Sequence, residues 1–79
     1  MSDKLNTASI RIPGKIRVDV TFPAGTDLRR AFQEAAAALG ITEFDVESIV
    51  PVVNGKEADL QDTVPDGAQV DGTTNVANG

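Results

Sequence analysis

The side chains that could do chemistry in this chain are mostly carboxylates. Two acidic sets recur at short, regular steps: Glu43, Asp45 and Glu47, then Asp59, Asp62 and Asp66. Either set offers oxygen ligands for a hard cation, but neither has the alternating oxygens, glycine and distant glutamate of a calcium loop. We interpret both sets as solvated surface carboxylates and predict no metal site and no cofactor.

Nucleophiles and bases are scarce. The chain has no histidine and no cysteine, so the usual general base, thiol nucleophile and zinc ligands are missing. Ser9 and Ser48 have no evident partner to activate them. The tripeptide at residues 13–15, Pro-Gly-Lys, lacks the glycine spacing and the following helix of a phosphate loop and indicates a turn. We predict that the protein is not an enzyme.

The length and hydropathy of the chain limit the class of protein to which it can belong. Its 79 residues allow one small domain, which must be held together by aliphatic packing because no disulfide is possible. No apolar run reaches the length of a membrane helix, and the first residues lack the apolar stretch of a signal peptide. We therefore expect a soluble, cytoplasmic protein that does not bind a membrane.

Charge is divided unevenly along the chain, whose net charge is −5. Residues 1–30 carry six basic and three acidic side chains, whereas residues 31–79 carry one basic and nine acidic. Tyrosine and tryptophan, which would stack on bases, are absent, so we predict no nucleic-acid partner. The acidic half is best interpreted as a solvated surface, with contact to a basic protein as the alternative.

The clearest helical signal lies between residues 26 and 40. Apolar side chains recur there at spacings of three and four, which predicts one buried stripe: Leu28, Ala31, Phe32, Ala35, Ala38 and Leu39. Thr26 or Asp27 can cap the first turn, and Gly40 can take the left-handed conformation that ends a helix.

The first 25 residues predict a β-hairpin. Apolar and polar residues alternate over 8–12 and again over 16–22, on either side of the turn at 13–15. One face of each strand is β-branched or aromatic and the other is charged, so the first face is expected to meet the helix. We predict that the polar residues 1–7 form a flexible arm.

The second half predicts short strands separated by turns. Residues 41–47 are expected to form a loop that places Phe44 and Val46 in the core. Pro51 predicts an edge position or a bulge, and Asn54-Gly55 predicts a tight turn. Strands are expected at residues 48–53, 56–60 and 68–76.

This β-β-α-β-β-β order predicts an α+β fold of the β-grasp type, a mixed sheet of four to five strands curled over one helix. Residues 8–70 would form the domain, and residues 71–79 a polar C-terminal tail or the last strand. Because a central strand is usually apolar, we expect the strand to end near Val70 or the chain to be loose from Asp71 onward.

Several motifs carry a family resemblance: Val-Val-Asn-Gly-Lys at 52–56, Leu60, Pro-Asp-Gly-Ala-Gln-Val at 65–70, and Val-Ala-Asn-Gly at 76–79. They resemble the small sulfur-carrier proteins of thiamine and molybdopterin synthesis, within the ubiquitin-like superfamily. The resemblance implies an adenylating enzyme as partner and chemistry at the carboxylate of Gly79. Asn78 stands where that family has its penultimate glycine.

Three functions follow, in order of preference. The first is a non-catalytic, ubiquitin-like protein-interaction module that binds a protein partner through an exposed sheet face around Arg11, Arg17, Val52 and Val70. The second is a ubiquitin-like modifier or sulfur carrier activated at Gly79. The third is a small structural or accessory subunit that packs head to tail in a larger assembly.

Overall fold

The computed structural model describes residues 4–74 of the chain. Its elements are β1 (Leu5–Arg11), β2 (Arg17–Pro23), α1 (Leu28–Ala38), a 3₁₀ helix (Val46–Ser48), β3 (Ile49–Val53), β4 (Lys56–Glu57) and β5 (Gln69–Thr74). The strands lie side by side in the order β2-β1-β5-β3-β4, in which β1 and β5 are parallel and the other neighbours are antiparallel. This arrangement confirms the predicted α+β fold with one helix and a mixed sheet.

β1 and β2 form the predicted antiparallel hairpin. Its turn contains Gly14, whose φ of 76° suits glycine. The predicted strand from Ile16 begins one residue later, at Arg17. Ile16 was expected to face the core, but it is 73% exposed, because it lies beyond the last residue of β2 that pairs with β1.

β1 starts at Leu5, which corrects the prediction that all of residues 1–7 form a flexible arm. The composition of this stretch is polar, but its backbone is held on both sides. It pairs with the end of β2 on one side, and on the other the amide of Thr7 donates to Asp66 Oδ1 at 2.9 Å. The carbonyl of Thr7 also accepts the amide of Gly67 at 2.7 Å. These hydrogen bonds to residues distant in the sequence hold residues 5–7 in a strand.

β5 lies in the centre of the sheet although its sequence is polar, and the strand continues past Val70 to Thr74. The alternation of strand side chains explains why this is possible. Asp71 and Thr73 face away from the core, and the core-facing position between them is Gly72, which is buried. The expectation that the chain is loose from Asp71 onward is therefore wrong as far as Thr74; residues 75–79 lie outside the described part of the chain.

Gly72 leaves room for the helix. A Cβ atom built on it would lie 3.0 Å from Cε1 of Phe32 and 3.0 Å from Cγ2 of Ile49. The Phe32 ring, which is fully buried, thus occupies the space that a side chain at residue 72 would need. The central strand has a glycine here because the largest side chain of α1 packs directly on its backbone.

The ends of α1 follow the sequence signals. The Asp27 side chain caps the first turn, with Oδ1 accepting the amide of Arg30 at 2.9 Å. At the other end Gly40 has a φ of 73°, and the amide of Ile41 donates to the carbonyl of Ala36 at 2.9 Å, as in a Schellman motif. Among the described residues no helix is long and apolar enough to cross a membrane.

The buried stripe of α1 differs from the prediction at two positions within the helix, Ala36 and Ala38. The buried residues are Leu28, Ala31, Phe32, Ala35 and Ala36. Ala36 continues the row of Leu28 and Phe32 at four-residue spacing, so it faces the sheet. Ala38 was predicted to be buried but is exposed, because it lies at the margin of the stripe in the last turn.

β3 and β4 form a hairpin around the predicted tight turn. Asn54 and Gly55 both have positive φ, 51° and 86°, as a type I′ turn requires. Pro51 lies one strand inward from the edge strand β4, and its carbonyl accepts the amide of Ala58 at 2.9 Å, on the β4 side. Its nitrogen faces the same side, so the missing N–H costs β3 no hydrogen bond to β5.

The segments around this hairpin are shorter or more ordered than predicted. The returning strand, expected over residues 56–60, is only Lys56–Glu57. The expected loop at residues 41–47 ends in the 3₁₀ helix, which Asp45 caps by accepting the amide of Glu47 at 3.2 Å. Val46 is buried and Phe44 is partly buried against the core, as predicted.

The contact between Gly72 and Phe32 gives a stability prediction. Gly72→Ala should lower the free energy of unfolding by about 1–3 kcal/mol, because the closely packed Phe32 ring and Ile49 would have to shift to admit the new methyl group. Urea denaturation followed by circular dichroism measures this loss. In a Phe32→Leu background the same change should cost less, since the smaller side chain can yield. Equal costs in both backgrounds would contradict the contact.

Candidate functional site: the outer face of the sheet

The register of the sheet aligns one row of side chains across all five strands. Arg17 on β2 pairs with Arg11 on β1, which pairs with Asp71 on β5. Asp71 pairs with Val52 on β3, and Val52 with Glu57 on β4. Side chains at register partners lie on the same face of a sheet. These five residues, here called the outer row, lie on the face opposite α1.

The basic end of the outer row is organised by Asp71. Its carboxylate contacts the Arg17 guanidinium directly and lies 3.7 Å from Nε of Arg11. Arg17 Nη1 also donates to the carbonyl and the hydroxyl of Ser9, both at 3.1 Å. Arg17 is thus held in place with a side chain only 33% exposed, whereas that of Arg11 is 58% exposed. Of these two cations, Arg11 is the more accessible to a partner.

Beyond Asp71 the outer face becomes aliphatic. Val50 and Val52 are half-buried on β3, and Val50 pairs with Thr73, whose hydroxyl donates to the Val50 carbonyl at 3.2 Å. Glu57 follows Val52 on the exposed edge strand. The outer face therefore presents two valines between a basic and an acidic end.

Val70 does not belong to this face, which corrects the predicted binding set. It is fully buried and pairs with Ile10 and Val53 on the side covered by α1. Val70 and Asp71 are consecutive in a strand, so only one of them can face outward. The structure brings Arg11, Arg17 and Val52 together and adds Asp71. Alternation within β5 was the signal that could have identified Asp71.

Several of the other polar groups that could do chemistry have structural roles. Asp62 Oδ2 accepts the amide of Asp59 at 3.0 Å, and Glu47 pairs with Arg29. The Ser48 hydroxyl donates to the carbonyl of Asp45 at 2.8 Å. Within residues 4–74 no three histidine, cysteine or acidic residues are grouped so that they could hold a metal ion. Asn78 and Gly79, the predicted conjugation residues, lie outside the described residues.

Several solved structures have a fold similar to that of this chain. A de novo design based on ubiquitin superposes with a TM-score of 0.72 at 14% identity, covering 94% of this chain and 93% of the design. A structure described as molecular mimicry of SUMO that promotes DNA repair superposes with a TM-score of 0.72 at 18% identity. The match covers 92% of this chain and 95% of the other. The ubiquitin of Caldiarchaeum subterraneum gives 0.67 at 12% identity, with coverage of 96% and 100%.

No protein-family model and no curated protein matches the sequence. At the identities of the solved structures the likeness concerns the fold alone. The chain is therefore a small domain with the ubiquitin-like β-grasp fold. The finer resemblance to sulfur carriers stays a prediction.

The outer row gives a second stability prediction. Asp71→Ala should lower the free energy of unfolding by about 0.5–1 kcal/mol at low ionic strength, because it leaves Arg11 and Arg17 as directly opposed like charges. Added salt should reduce the difference. Glu57→Ala, in the same row but without an ion pair among the described residues, is the control and should change stability by less than about 0.5 kcal/mol. A salt-independent loss in Asp71→Ala would contradict this role.

Proposed function

We propose that this chain is a non-catalytic protein-interaction module that binds a protein partner through the outer face of its sheet. The observation that carries the proposal is the outer row, in which five side chains from five strands are aligned by the sheet's own backbone. Because the sheet fixes the backbone at all five positions, a partner can bind them without ordering the backbone.

The chemistry of the face indicates the kind of partner. Arg11 is largely exposed and only loosely paired, so it can bind a carboxylate of the partner. Val50 and Val52 offer an aliphatic surface that an apolar side chain can cover. A partner with an acidic residue beside an aliphatic one would match both Arg11 and the two valines. The ubiquitin-like fold supports this proposal at the level of a small ubiquitin-like module.

Affinity capture from the source cells tests the proposal. We expect the double variant Arg11→Glu, Val52→Lys to lose at least tenfold in affinity for the captured partner, about 1.4 kcal/mol. Gln33→Glu, on the exposed side of α1, is the control because it changes the net charge by the same amount and should bind normally. Titration calorimetry with the purified partner measures both. Equal affinity for wild type and double variant would refute the outer face as the binding surface.

A second proposal is activation at Gly79 by an adenylating enzyme, as in modifiers and sulfur carriers. It is supported by the sequence resemblance and by β5, which runs through the middle of the sheet to Thr74, five residues before Gly79. The Gly79 carboxylate would attack the α-phosphorus of ATP to give an acyl-adenylate and release pyrophosphate. A sulfur donor or an amine would then displace AMP.

Intact-mass spectrometry of the protein from its native cells separates the two proposals. A thiocarboxylate, or an adduct joined through Gly79, is the result that activation predicts. If the mass corresponds to an unmodified chain and a copy lacking Gly79 binds its partner normally, activation is refuted and the interaction module stands.

A further inference from the structure

The outer edge of β2 carries a set of free backbone groups. The Ala24 amide donates to the Lys4 carbonyl at 3.0 Å, which identifies the hydrogen-bonded pairs of the hairpin. Because such pairs alternate with non-hydrogen-bonded pairs, Val18, Val20 and Phe22 bond to β1. The intervening residues of β2 therefore point their N–H and C=O groups away from the sheet.

Three of these outward residues have no backbone partner among the described residues: Arg17, Asp19 and Thr21. The edge is closed at its C-terminal end by Pro23, which has no N–H to offer. The Pro23 carbonyl accepts both the amide of Thr26 at 3.2 Å and the Thr26 hydroxyl at 2.6 Å. β2 is thus an edge strand with one open stretch, at residues 17–21, along which another strand can add.

The charges of this stretch select a second copy of the same strand. In an antiparallel pair of β2 strands centred on Val18, Arg17 of each copy lies opposite Asp19 of the other, so by symmetry each Asp19 carboxylate faces a guanidinium that also contacts Asp71. Asp19 has no cation within 4.0 Å among the described residues, so its carboxylate is available.

Other registers are unfavourable. Centring the pair on Asp19 places Asp19 opposite Asp19, and centring it on Arg17 places Arg17 opposite Arg17. Centring it on Val20 places Arg17 opposite Pro23, which cannot donate. The alternation of charge along β2 is therefore self-complementary in one register.

The same register matches the apolar side chains on the helix side of β2. Val18 faces Val18, and Ile16 faces Val20 of the other copy. Ile16 is 73% exposed in the monomer, and Val18 is only partly buried. Adding a strand in this register covers both and forms hydrogen bonds between the backbones of Arg17 and Asp19 in both directions.

We propose that two copies of this chain associate through their β2 edges, antiparallel and centred on Val18, as a symmetric dimer with one continuous sheet. The two-fold axis is then perpendicular to the sheet, so both outer faces lie on the same side. The dimer does not depend on the interaction function proposed above, but it would present two outer rows to one partner or surface and so raise avidity.

Sedimentation equilibrium over a wide concentration range tests the dimer. The wild type should rise from its monomer mass of 8.3 kDa toward twice that value, as a weak complex, since the interface is small. Asp19→Lys places a lysine opposite Arg17 and should raise the dissociation constant at least tenfold. Glu57→Lys makes the same charge change on the opposite edge strand and should leave it unaltered. A wild type that stays monomeric throughout, or equal effects of the two variants, would overturn the proposal.

A charge-exchange experiment tests the register. Arg17→Glu alone should also fail to dimerise, because the introduced glutamate would face Asp19 of the other copy. An equimolar mixture of Arg17→Glu and Asp19→Lys should form a heterodimer. In it the introduced glutamate faces the introduced lysine, and the like-charge pairs that each variant would form with itself are avoided. Native mass spectrometry detects this heterodimer. Its absence from two variants that are folded by circular dichroism would overturn the register.

Ile16→Lys provides a test that leaves the contact of Arg17 with Asp71 in place. It changes a residue that is 73% exposed in the monomer, so the fold should be retained. We expect the dissociation constant to rise at least tenfold, because the lysine would lie against Val20 of the other copy. An unchanged dissociation constant would contradict the proposed pairing.

Discussion

The packing of Phe32 on the bare backbone at Gly72 is the contact that brings the helix against the central strand. It joins the largest buried side chain of α1 to the central strand at a position where no side chain intervenes. Because the ring lies so close to β5, the helix can cover the sheet with mostly alanine around it: Ala31, Ala35 and Ala36. A chain of 79 residues obtains a closely packed core this way with few large side chains.

The position of β5 also determines the surface. With β5 between β1 and β3, Asp71 lies between Arg11 and Val52, and the charged and aliphatic parts of the outer face become neighbours. The same sheet order leaves β2 at an edge, where the alternation of Arg17 and Asp19 is exposed. The order of the strands therefore underlies both the outer row and the free edge.

Local signals in the sequence were sufficient for the elements they govern. The helix, its end at Gly40 and the turn at Asn54-Gly55 depend on residues close together in the chain and were predicted, and the cap at Asp27 was one of two candidates. The strand at residues 5–7 was missed because its partners, Asp66 and Gly67, are distant in sequence. The extent of β5 was left open between a strand and a loose tail, because the role of Gly72 depends on Phe32, which is far from it in the chain. For the site, Arg11, Arg17 and Val52 were predicted to share a face, but Val70 was misplaced since the register of β5 was not known.

Proton NMR of the folded protein tests the central contact most directly. If the Phe32 ring lies on Gly72, the two Hα protons of Gly72 should be shifted strongly by the ring current and should show nuclear Overhauser effects to the ring protons. Both signals should disappear in Phe32→Leu. Random-coil shifts for Gly72 in the wild type, without Overhauser effects to Phe32, would contradict the packing of the Phe32 ring on β5.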